Sequence, residues 1–408
     1  MNPISKRYLV PCLLIGTLFW VARYAASRGG AKQKSQATAA SMDTEIAFEL
    51  VGGRIYVPAV VNGHATMAIV DTGAAASIMD LALADQWNLP SSGAASASGG
   101  GSSAVPAKIL RDTNVRIGDV EEQVEYAVPL TSLASFEGRP LDVIIGARFF
   151  SHRIVEIDYP RRRLRISGAS GNSTSEVTLP IRFSNGLPHI RASLVVGNKT
   201  YDLDALLDTG ASATTLTNRF LREHPLDVPT TAKTVTGGGV GGSTEGRYLR
   251  PELLRLSGIE LRQPVLIASE AQSGADGLDT DRDLVLGSSV LQRFRVIIDY
   301  SHKRVTMIPN PQTYDAFEVD KSGLRIVAEG PDLRVFKVAG VLEKSSSETA
   351  GIRPGDVIES IDGVESSRYR LWELRELFRT MPAAGAWHLS IRRDSSSLPI
   401  TLPARNIT

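Results

Sequence analysis

The chain has 408 residues, a formal net charge of +1 and 22% charged residues. This length predicts two or three domains, and the lack of a basic excess argues against nucleic acid as a partner. The single cysteine, Cys12, lies in an N-terminal apolar stretch, which excludes a disulfide framework.

The N-terminus predicts a membrane segment. Lys6 and Arg7 precede an apolar stretch that extends to Ala26, and a helix over residues 8–26 would reach about 28 Å, close to the thickness of a bilayer core. The segment is therefore either a signal peptide or a signal anchor. We expect a single-pass anchor with the folded part of the chain outside the cytoplasm, but the count of basic residues on the two sides favours the opposite orientation. Residues 27–45 are small and polar and are expected to form a flexible tether.

One short motif occurs twice and organises the rest of the chain. In each copy an apolar, strand-like run leads into the sequence Asp-Thr-Gly-Ala, which begins at Asp71 and again at Asp208. A single copy would most simply be a strand-to-turn junction, because Asp and Gly are ordinary turn residues. The repetition predicts a duplicated unit instead.

Four further features follow both copies in the same order: a short capped helix, a glycine-rich run, an aliphatic run that ends in glycine, and a closing hairpin. Their positions are Asp80 and Thr217 for the helix caps, residues 99 and 237 for the starts of the glycine-rich runs, Gly146 and Gly287 for the terminal glycines, and residues 154–166 and 296–308 for the hairpins. The glycine-rich runs begin 28 and 29 residues after the two acids, and the terminal glycines lie 75 and 79 residues after them.

These motifs resemble the retropepsin-like aspartic proteases of the pepsin/retropepsin clan, in which a D-T-G-A loop and a later aliphatic-aliphatic-Gly motif form half of an active site. The resemblance covers about 46–167 and 177–309. It implies a mainly β, bilobed acid-protease fold with two retropepsin-like β-barrel lobes in one chain. It also implies that Asp71 and Asp208 are the catalytic pair. The residues expected to support their loops are Thr72, Gly73, Thr209, Gly210, Gly146 and Gly287.

The glycine-rich runs allow more than one interpretation. Residues 91–101 lie where the family places a flap, and either a flap or a disordered surface loop fits their composition. For residues 237–242 we predict a flap, since the segments on either side could pair as a hairpin. The second run also satisfies G-x-G-x-x-G, but no apolar helix follows it, which argues against a nucleotide site. The six histidines form no metal-ligand motif, and we expect no metal and no cofactor.

A third module is predicted beyond the proline pair at 309 and 311. Residues 351–363 read Gly-Ile-Arg-Pro-Gly-Asp-Val-Ile, two further residues, then Ile-Asp-Gly, and resemble a PDZ domain of the kind attached to bacterial proteases. A helix predicted over 369–379 places Leu371, Leu374 and Phe378 on one face, which suits a peptide groove or a core.

The PDZ resemblance also implies a peptide-binding site. Its residues would be Gly323, Leu324, Arg325 and Ile326 in the carboxylate-binding loop, with Leu371 on the facing helix. Arg325 stands where the family usually has glycine, so the binding of C-terminal carboxylates stays open.

The predicted organisation is a membrane segment and tether at 1–45, a first lobe at 46–170, a second lobe at 171–312 and a PDZ domain at 313–408. Two facing carboxyl groups that share one proton can activate water and polarise a peptide carbonyl. The implied function is therefore an aspartic endopeptidase with protein or peptide substrates, expected to be monomeric and bacterial. Two alternatives remain: a catalytically silent adaptor that presents the PDZ domain at a membrane, and a homodimeric aspartic protease.

Overall fold

The structure is a computed structural model that describes residues 43–99, 103–168, 177–270 and 282–406. The predicted membrane segment at 8–26 lies outside these residues. Within the described ranges, no helix has the length and apolar character needed to cross a bilayer.

The first lobe is mainly β, as predicted, and most of its strands belong to one ten-stranded sheet in the order β6-β7-β10-β5-β11-β4-β3-β8-β9, with β2 paired to β3. A 3-10 turn covers Ala147–Phe150. The elements are β1 Thr44–Ala47, β2 Glu49–Val51, β3 Arg54–Val61, β4 His64–Val70, β5 Ile78–Asp80, α1 Leu81–Gln86, β6 Ser91–Ala97, β7 Val105–Leu110, β8 Asn114–Ile117, β9 Val120–Gln123, β10 Tyr126–Val128, α2 Thr131–Glu137, β11 Val143–Ile145, β12 Ile154–Asp158 and β13 Arg163–Ser167.

The second lobe repeats this plan with a ten-stranded sheet in the order β19-β20-β23-β18-β24-β17-β16-β21-β22, and β15 pairs with β16. Its elements are β14 Val177–Pro180, β15 Arg182–Ser184, β16 Leu187–Val196, β17 Lys199–Leu207, β18 Thr215–Leu216, α3 Asn218–Glu223, β19 Thr234–Gly239, β20 Gly242–Leu249, β21 Leu253–Leu256, β22 Ile259–Arg262, β23 Leu266–Ser269, β24 Leu284–Leu286, α4 Ser288–Leu291, β25 Phe294–Asp299 and β26 Arg304–Pro309.

The predicted closing hairpins join the two lobes. Strands β12 and β25 pair antiparallel, with Ile154 opposite Asp299 and Asp158 opposite Arg295, so the hairpins of both lobes form one six-stranded sheet. The buried side chains on this sheet belong to a single apolar cluster that extends through both lobes, and Phe150 and Tyr300 pack 5.5 Å apart in it. Burial of a shared core of this kind stabilises the two lobes as one body.

The predicted helix caps are confirmed. The Asp80 carboxylate accepts hydrogen bonds from the amides of Ala82 and Leu83 at the start of α1, and the Thr217 hydroxyl accepts one from the amide of Phe220 at the start of α3. Each cap satisfies amide groups that have no partner within their own helix.

The C-terminal module has its own core and sheet, in the order β27-β28-β29-β31-β32 with β30 paired to β29. Leu371, Leu374 and Phe378 are buried on one face of α6, as the predicted helix requires, and Phe378 packs edge-on against Trp387 at 5.0 Å. The elements are β27 Leu324–Glu329, β28 Val335–Val341, α5 Ser346–Thr349, β29 Val357–Ile361, β30 Val364–Glu365, α6 Leu371–Thr380, β31 Ala386–Arg393 and β32 Ser396–Pro403, with a 3-10 turn at Ser366–Arg368.

The segment between the second lobe and the C-terminal module is fixed in place. Arg293 donates hydrogen bonds to the carbonyl groups of Gln312, Asp315 and Ala316, and its guanidinium stacks 3.6 Å from the centre of the Phe317 ring. The module is therefore anchored to the second lobe at its first residues.

Candidate active site

Both acids follow the same backbone arrangement. Each acid directly follows a strand whose last residues are buried. In each lobe this strand runs parallel to the strand that precedes Gly146 or Gly287, with Val70 beside Ile145 and Leu207 beside Leu286. The amide of Asp71 donates to the carbonyl of Ile145 at 2.9 Å. The apolar runs that precede the acids thus fill the interior of each lobe and bring the two carboxyl groups to its inner edge.

Each acid is held by the loop that follows it. Oδ1 of Asp71 accepts hydrogen bonds from the amides of Gly73 at 2.9 Å and Ala74 at 3.1 Å. Oδ1 of Asp208 accepts the equivalent bonds from Gly210 at 2.9 Å and Ala211 at 2.8 Å. Two amide donors fix the orientation of each carboxyl group, and they favour its ionised form.

The two loops are bonded to each other across the lobes. The amide of Thr72 donates to the Thr209 hydroxyl and the amide of Thr209 donates to the Thr72 hydroxyl, both at 3.0 Å. The hydroxyls themselves donate onward, from Thr72 to the Leu207 carbonyl at 2.6 Å and from Thr209 to the Val70 carbonyl at 2.8 Å. All four groups are buried, so this reciprocal network fixes the distance between the loops within one chain.

Three of the four glycines singled out from the sequence, Gly146, Gly210 and Gly287, lie where a side chain would not fit. A Cβ on Gly210 would overlap the carboxyl group of Asp71. A Cβ on Gly146 would lie 2.6 Å from the backbone carbonyl of Ala76, and one on Gly287 would overlap the carbonyl of Ala213. The close approach at Gly210 shows that the loop of the second lobe packs directly against the acid of the first.

The two carboxyl groups share one buried environment, in which Asp71 is 4% exposed and Asp208 is fully buried. Burial raises the pKa of Asp71 from 3.8 to about 6, against the lowering effects of the Gly73 amide and the positive charge of Arg54. Burial and the charge of Asp71 raise the pKa of Asp208 well above its usual range. Repulsion between two such groups disfavours the doubly ionised state, so near neutral pH they are able to hold one proton between them.

Sequence reasoning missed four residues around this pair. Arg54 and Glu137 form a buried ion pair, and no local pattern marks either of them. Tyr159 and Tyr300 directly follow the first strand of each closing hairpin, and both are buried. Burial raises the pKa of Tyr300 well above its usual range, and the charges of Asp71 and Asp208 add to that shift. The Asp-Tyr pair that is repeated at the end of the first strand of both hairpins is a signal that could have identified the two tyrosines.

The two segments predicted as candidate flaps form hairpins that touch each other, and residues 100–102 of the first lie outside the described ranges. Strand β6 pairs with β7 and β19 pairs with β20, and we call these the first and second flaps. The amide of Ser103 in the first flap donates to the carbonyl of Gly241 in the second at 3.1 Å. Val240 in the second flap is 2% exposed and packs against Gly99. The flaps are therefore in contact with each other.

The predicted peptide-binding residues of the C-terminal module are engaged in contacts within the module or with the second lobe. Gly323 begins the turn into β27 with φ +76°, and Leu324, Ile326 and Leu371 are buried in the module's own core. The guanidinium of Arg325 lies 4.9 Å from the ring centre of Tyr248 in the second lobe. Their role in binding a peptide stays a prediction.

Comparison with known proteins supports the assignment of the two lobes. A family model described as aspartyl protease matches residues 57–149 and 192–290, which contain one acid each. Among solved structures, the aspartic proteinase from Irpex lacteus is 14% identical, with a TM-score of 0.45 over 68% of this chain and all of that chain. Among curated proteins, no sequence matches this chain.

The family match supports an aspartyl protease. The match covers one segment of each lobe, just under half of the chain, and leaves the C-terminal module unassigned.

Proposed function

We propose that the protein is an aspartic endopeptidase in which Asp71 and Asp208 activate a water molecule against a peptide bond. The observation that carries this proposal is the reciprocal bonding of Thr72 and Thr209, which holds two buried carboxyl groups on equivalent loops. A matched pair of acids with raised pKa values is suited to general acid and base catalysis near neutral pH.

The proposed reaction uses the pair in its singly protonated state. The ionised carboxylate takes a proton from water as the water oxygen bonds to the peptide carbonyl carbon, and the protonated carboxyl group donates its proton to the carbonyl oxygen. The C–N bond of the resulting tetrahedral intermediate then breaks as the departing nitrogen receives a proton from the pair and one hydroxyl group of the intermediate returns a proton to the pair. The products are a carboxylic acid and an amine, and the dyad regains its single proton.

The arrangement within one chain favours this proposal over a homodimer. The hydrogen bonds between the two threonine loops, the shared core and the six-stranded sheet are all made by residues of a single chain. A catalytically silent adaptor would not require both acids and both threonines in this arrangement.

The proposal is tested by incubating the purified protein with an unstructured protein substrate over a range of pH, with and without pepstatin. We expect cleavage that pepstatin inhibits and that Asp71→Asn abolishes. The same cleavage rate in Asp71→Asn as in the unchanged protein would rule out the dyad as its source.

We further propose that residues 8–26 tether the protein to a membrane. The support is the length and apolar character of the segment with its basic N-terminal flank. The full chain should then sediment with membranes, and a chain that begins at Met42 should stay in the supernatant. Recovery of the uncleaved full chain in the supernatant would contradict an anchor.

We also propose that the C-terminal module is a PDZ domain that binds a substrate or partner peptide. The support is the motif at residues 351–363, together with a sheet in the order β27-β28-β29-β31-β32 and a helix, α6, that buries one apolar face in the core of the module. Transfer of residues 313–408 onto another protein, followed by measurement of peptide binding, tests this assignment separately from catalysis.

A further inference from the structure

Helix α2 of the first lobe docks on the C-terminal module. The hydroxyl of Ser135 donates a hydrogen bond to the carbonyl of Ala328 in β27 at 2.6 Å. At the end of the helix, Gly138 has φ +73°, and a Cβ there would overlap Leu371 in α6. The helix therefore lies across the space between β27 and α6, close enough at Gly138 that only glycine fits.

This docking occupies an edge of the module's sheet. Strand β27 is the last strand of its sheet, and edge carbonyl groups are open to pairing with another chain. Here the carbonyl of Ile326 accepts a hydrogen bond from Arg375 at 2.9 Å, and the carbonyl of Ala328 accepts one from Ser135. An extended peptide that adds to this edge would have to displace α2.

A neighbouring face of α2 contacts the second flap. The ring of Phe136 lies against the backbone of Gly238 so closely that a Cβ on that glycine would overlap it. Ser132 donates a hydrogen bond to the carbonyl of Gly239 at 3.4 Å. Helix α2 is thus held between the C-terminal module and the second flap.

The module also contacts the second flap directly, because the guanidinium of Arg325 lies 4.9 Å from the ring centre of Tyr248 in β20. In addition, Trp372, on α6, packs against the apolar cluster to which Leu133 of α2 and Val240 of the second flap both belong. The second flap is therefore braced along β20 by the module itself and is linked to Trp372 through this shared cluster.

The dyad is almost inaccessible in this structure, since Asp71 is 4% exposed and Asp208 is fully buried. The two flaps touch through Ser103 and Gly241, and Val240 of the second flap is buried in an apolar cluster with residues of the first lobe. In the proposed function the flaps cover the dyad, so the second flap has to open before a polypeptide binds. Opening requires loss of the contacts between α2, the second flap and the module.

We propose that the C-terminal module is an intramolecular clamp that holds the second flap closed over the active site, and that its release from α2 opens the site. The effect on hydrolysis rests on the proposed peptidase function, whereas the effect on flap opening does not.

The clamp is tested first by hydrogen exchange in an Asp208→Asn background, which prevents self-digestion. Trp372→Ala removes the packing of α6 against the apolar cluster that contains Leu133 and Val240. Ser135→Arg places a bulky charge between α2 and β27. The matched controls are Tyr314→Ala, which removes a ring that is 73% exposed, and Thr131→Arg, which adds the same charge at an exposed position of α2.

We expect the amides of residues 234–249 to exchange at least 10-fold faster in both test variants than in the controls, with unchanged exchange in β31 and β32. Unchanged flap exchange in a test variant whose module stays folded would overturn the clamp. If Trp372→Ala unfolds the module, the exchange of residues 234–249 in Ser135→Arg decides whether the clamp exists.

The second test restores Asp208 and measures hydrolysis of a peptide. Both test variants should raise kcat/KM at least threefold over the controls, because the site opens more often. Faster flap exchange with unchanged or lower kcat/KM would overturn the gating of catalysis. Hydrolysis in none of the proteins would refute the proposed function, while the exchange result would still decide whether the clamp exists.

Discussion

Arg54 and Glu137 form a buried ion pair beside the carboxyl group of Asp71. Arg54 lies at the start of β3 and Glu137 at the end of α2. Because β3 pairs with β4, the strand that precedes Asp71, the ion pair joins the neighbour of that strand to the helix that contacts the second flap. A buried pair of this kind is costly to break because the remaining charge has no compensation.

Arg54→Met should therefore lower the free energy of unfolding by about 3–5 kcal/mol, since it leaves Glu137 as an unpaired buried charge. The double variant Arg54→Met/Glu137→Leu should recover most of that loss, because it removes both charges. Urea denaturation of the three proteins gives the comparison. A double variant that is less stable than Arg54→Met would contradict this account.

The pH profile of hydrolysis should reflect the raised pKa of Asp71. The general base must be ionised, so kcat/KM should rise with pH through about 6, the pKa to which burial raises this group, and fall again when the pair loses its second proton. The positive charge of Arg54 lowers the pKa of Asp71. Loss of that charge in Arg54→Met should therefore raise this pKa and move the acid limb of the profile to higher pH. Arg54→Lys keeps the charge and should leave the limb in place. A limb near pH 4 in the unchanged protein would contradict the prediction.

The dyad should also make the fold less stable as the pH rises. A carboxyl group with a raised pKa in the folded chain binds more protons there than in the unfolded chain, so its stabilising effect is complete below the unfolded pKa and is lost as the pH passes the folded one. For Asp71 this window runs from 3.8 to about 6, and the loss is on the order of 3 kcal/mol. Asp208 acts in the same direction.

This dependence is measured by denaturation at pH 4 and pH 7. The double variant Asp71→Asn/Asp208→Asn has no titrating dyad and should lose the drop in stability between the two pH values. An equal drop in the stability of the double variant between pH 4 and pH 7 would show that titrating groups other than Asp71 and Asp208 cause it.

The threonine network should contribute strongly to stability. Thr72→Val keeps the side-chain shape but removes the bond to the Leu207 carbonyl and the acceptor for the Thr209 amide, and unsatisfied buried groups cost about 1–3 kcal/mol each. We expect a loss of about 2–4 kcal/mol, and less than about 1 kcal/mol in Thr72→Ser, which retains the hydroxyl. Equal losses in the two variants would indicate that the methyl group, not the hydrogen bonds, matters.

The two acids should act as one site within one chain. Asp71→Asn and Asp208→Asn should each abolish hydrolysis, and the double variant should be no worse than either, because neither acid can work alone. A mixture of the two single variants should stay inactive, since every chain then has a broken pair. Activity regained in the mixture would indicate a dimer that pairs the first lobe of one chain with the second lobe of another. Partial activity in either single variant would indicate that each lobe pairs with its own copy.

The sequence alone determined the repeated plan of the lobes. The Asp-Thr-Gly-Ala loops, the caps at Asp80 and Thr217 and the closing hairpins depend on interactions between residues close together in the chain, such as the bond from the Phe220 amide to Thr217. Short-range preferences of this kind are visible as local patterns. Their repetition then indicated two facing acids.

Only the tertiary structure decided what surrounds those acids. The Arg54–Glu137 pair joins residues 83 positions apart, and the bond from Ser135 to Ala328 spans 193 positions. Whether the glycine-rich runs meet as closed flaps also depends on the placement of one lobe against the other. Contacts of this kind arise from the packing of whole elements, and a charged or polar side chain looks the same in the sequence whether it faces solvent or a partner from a distant segment.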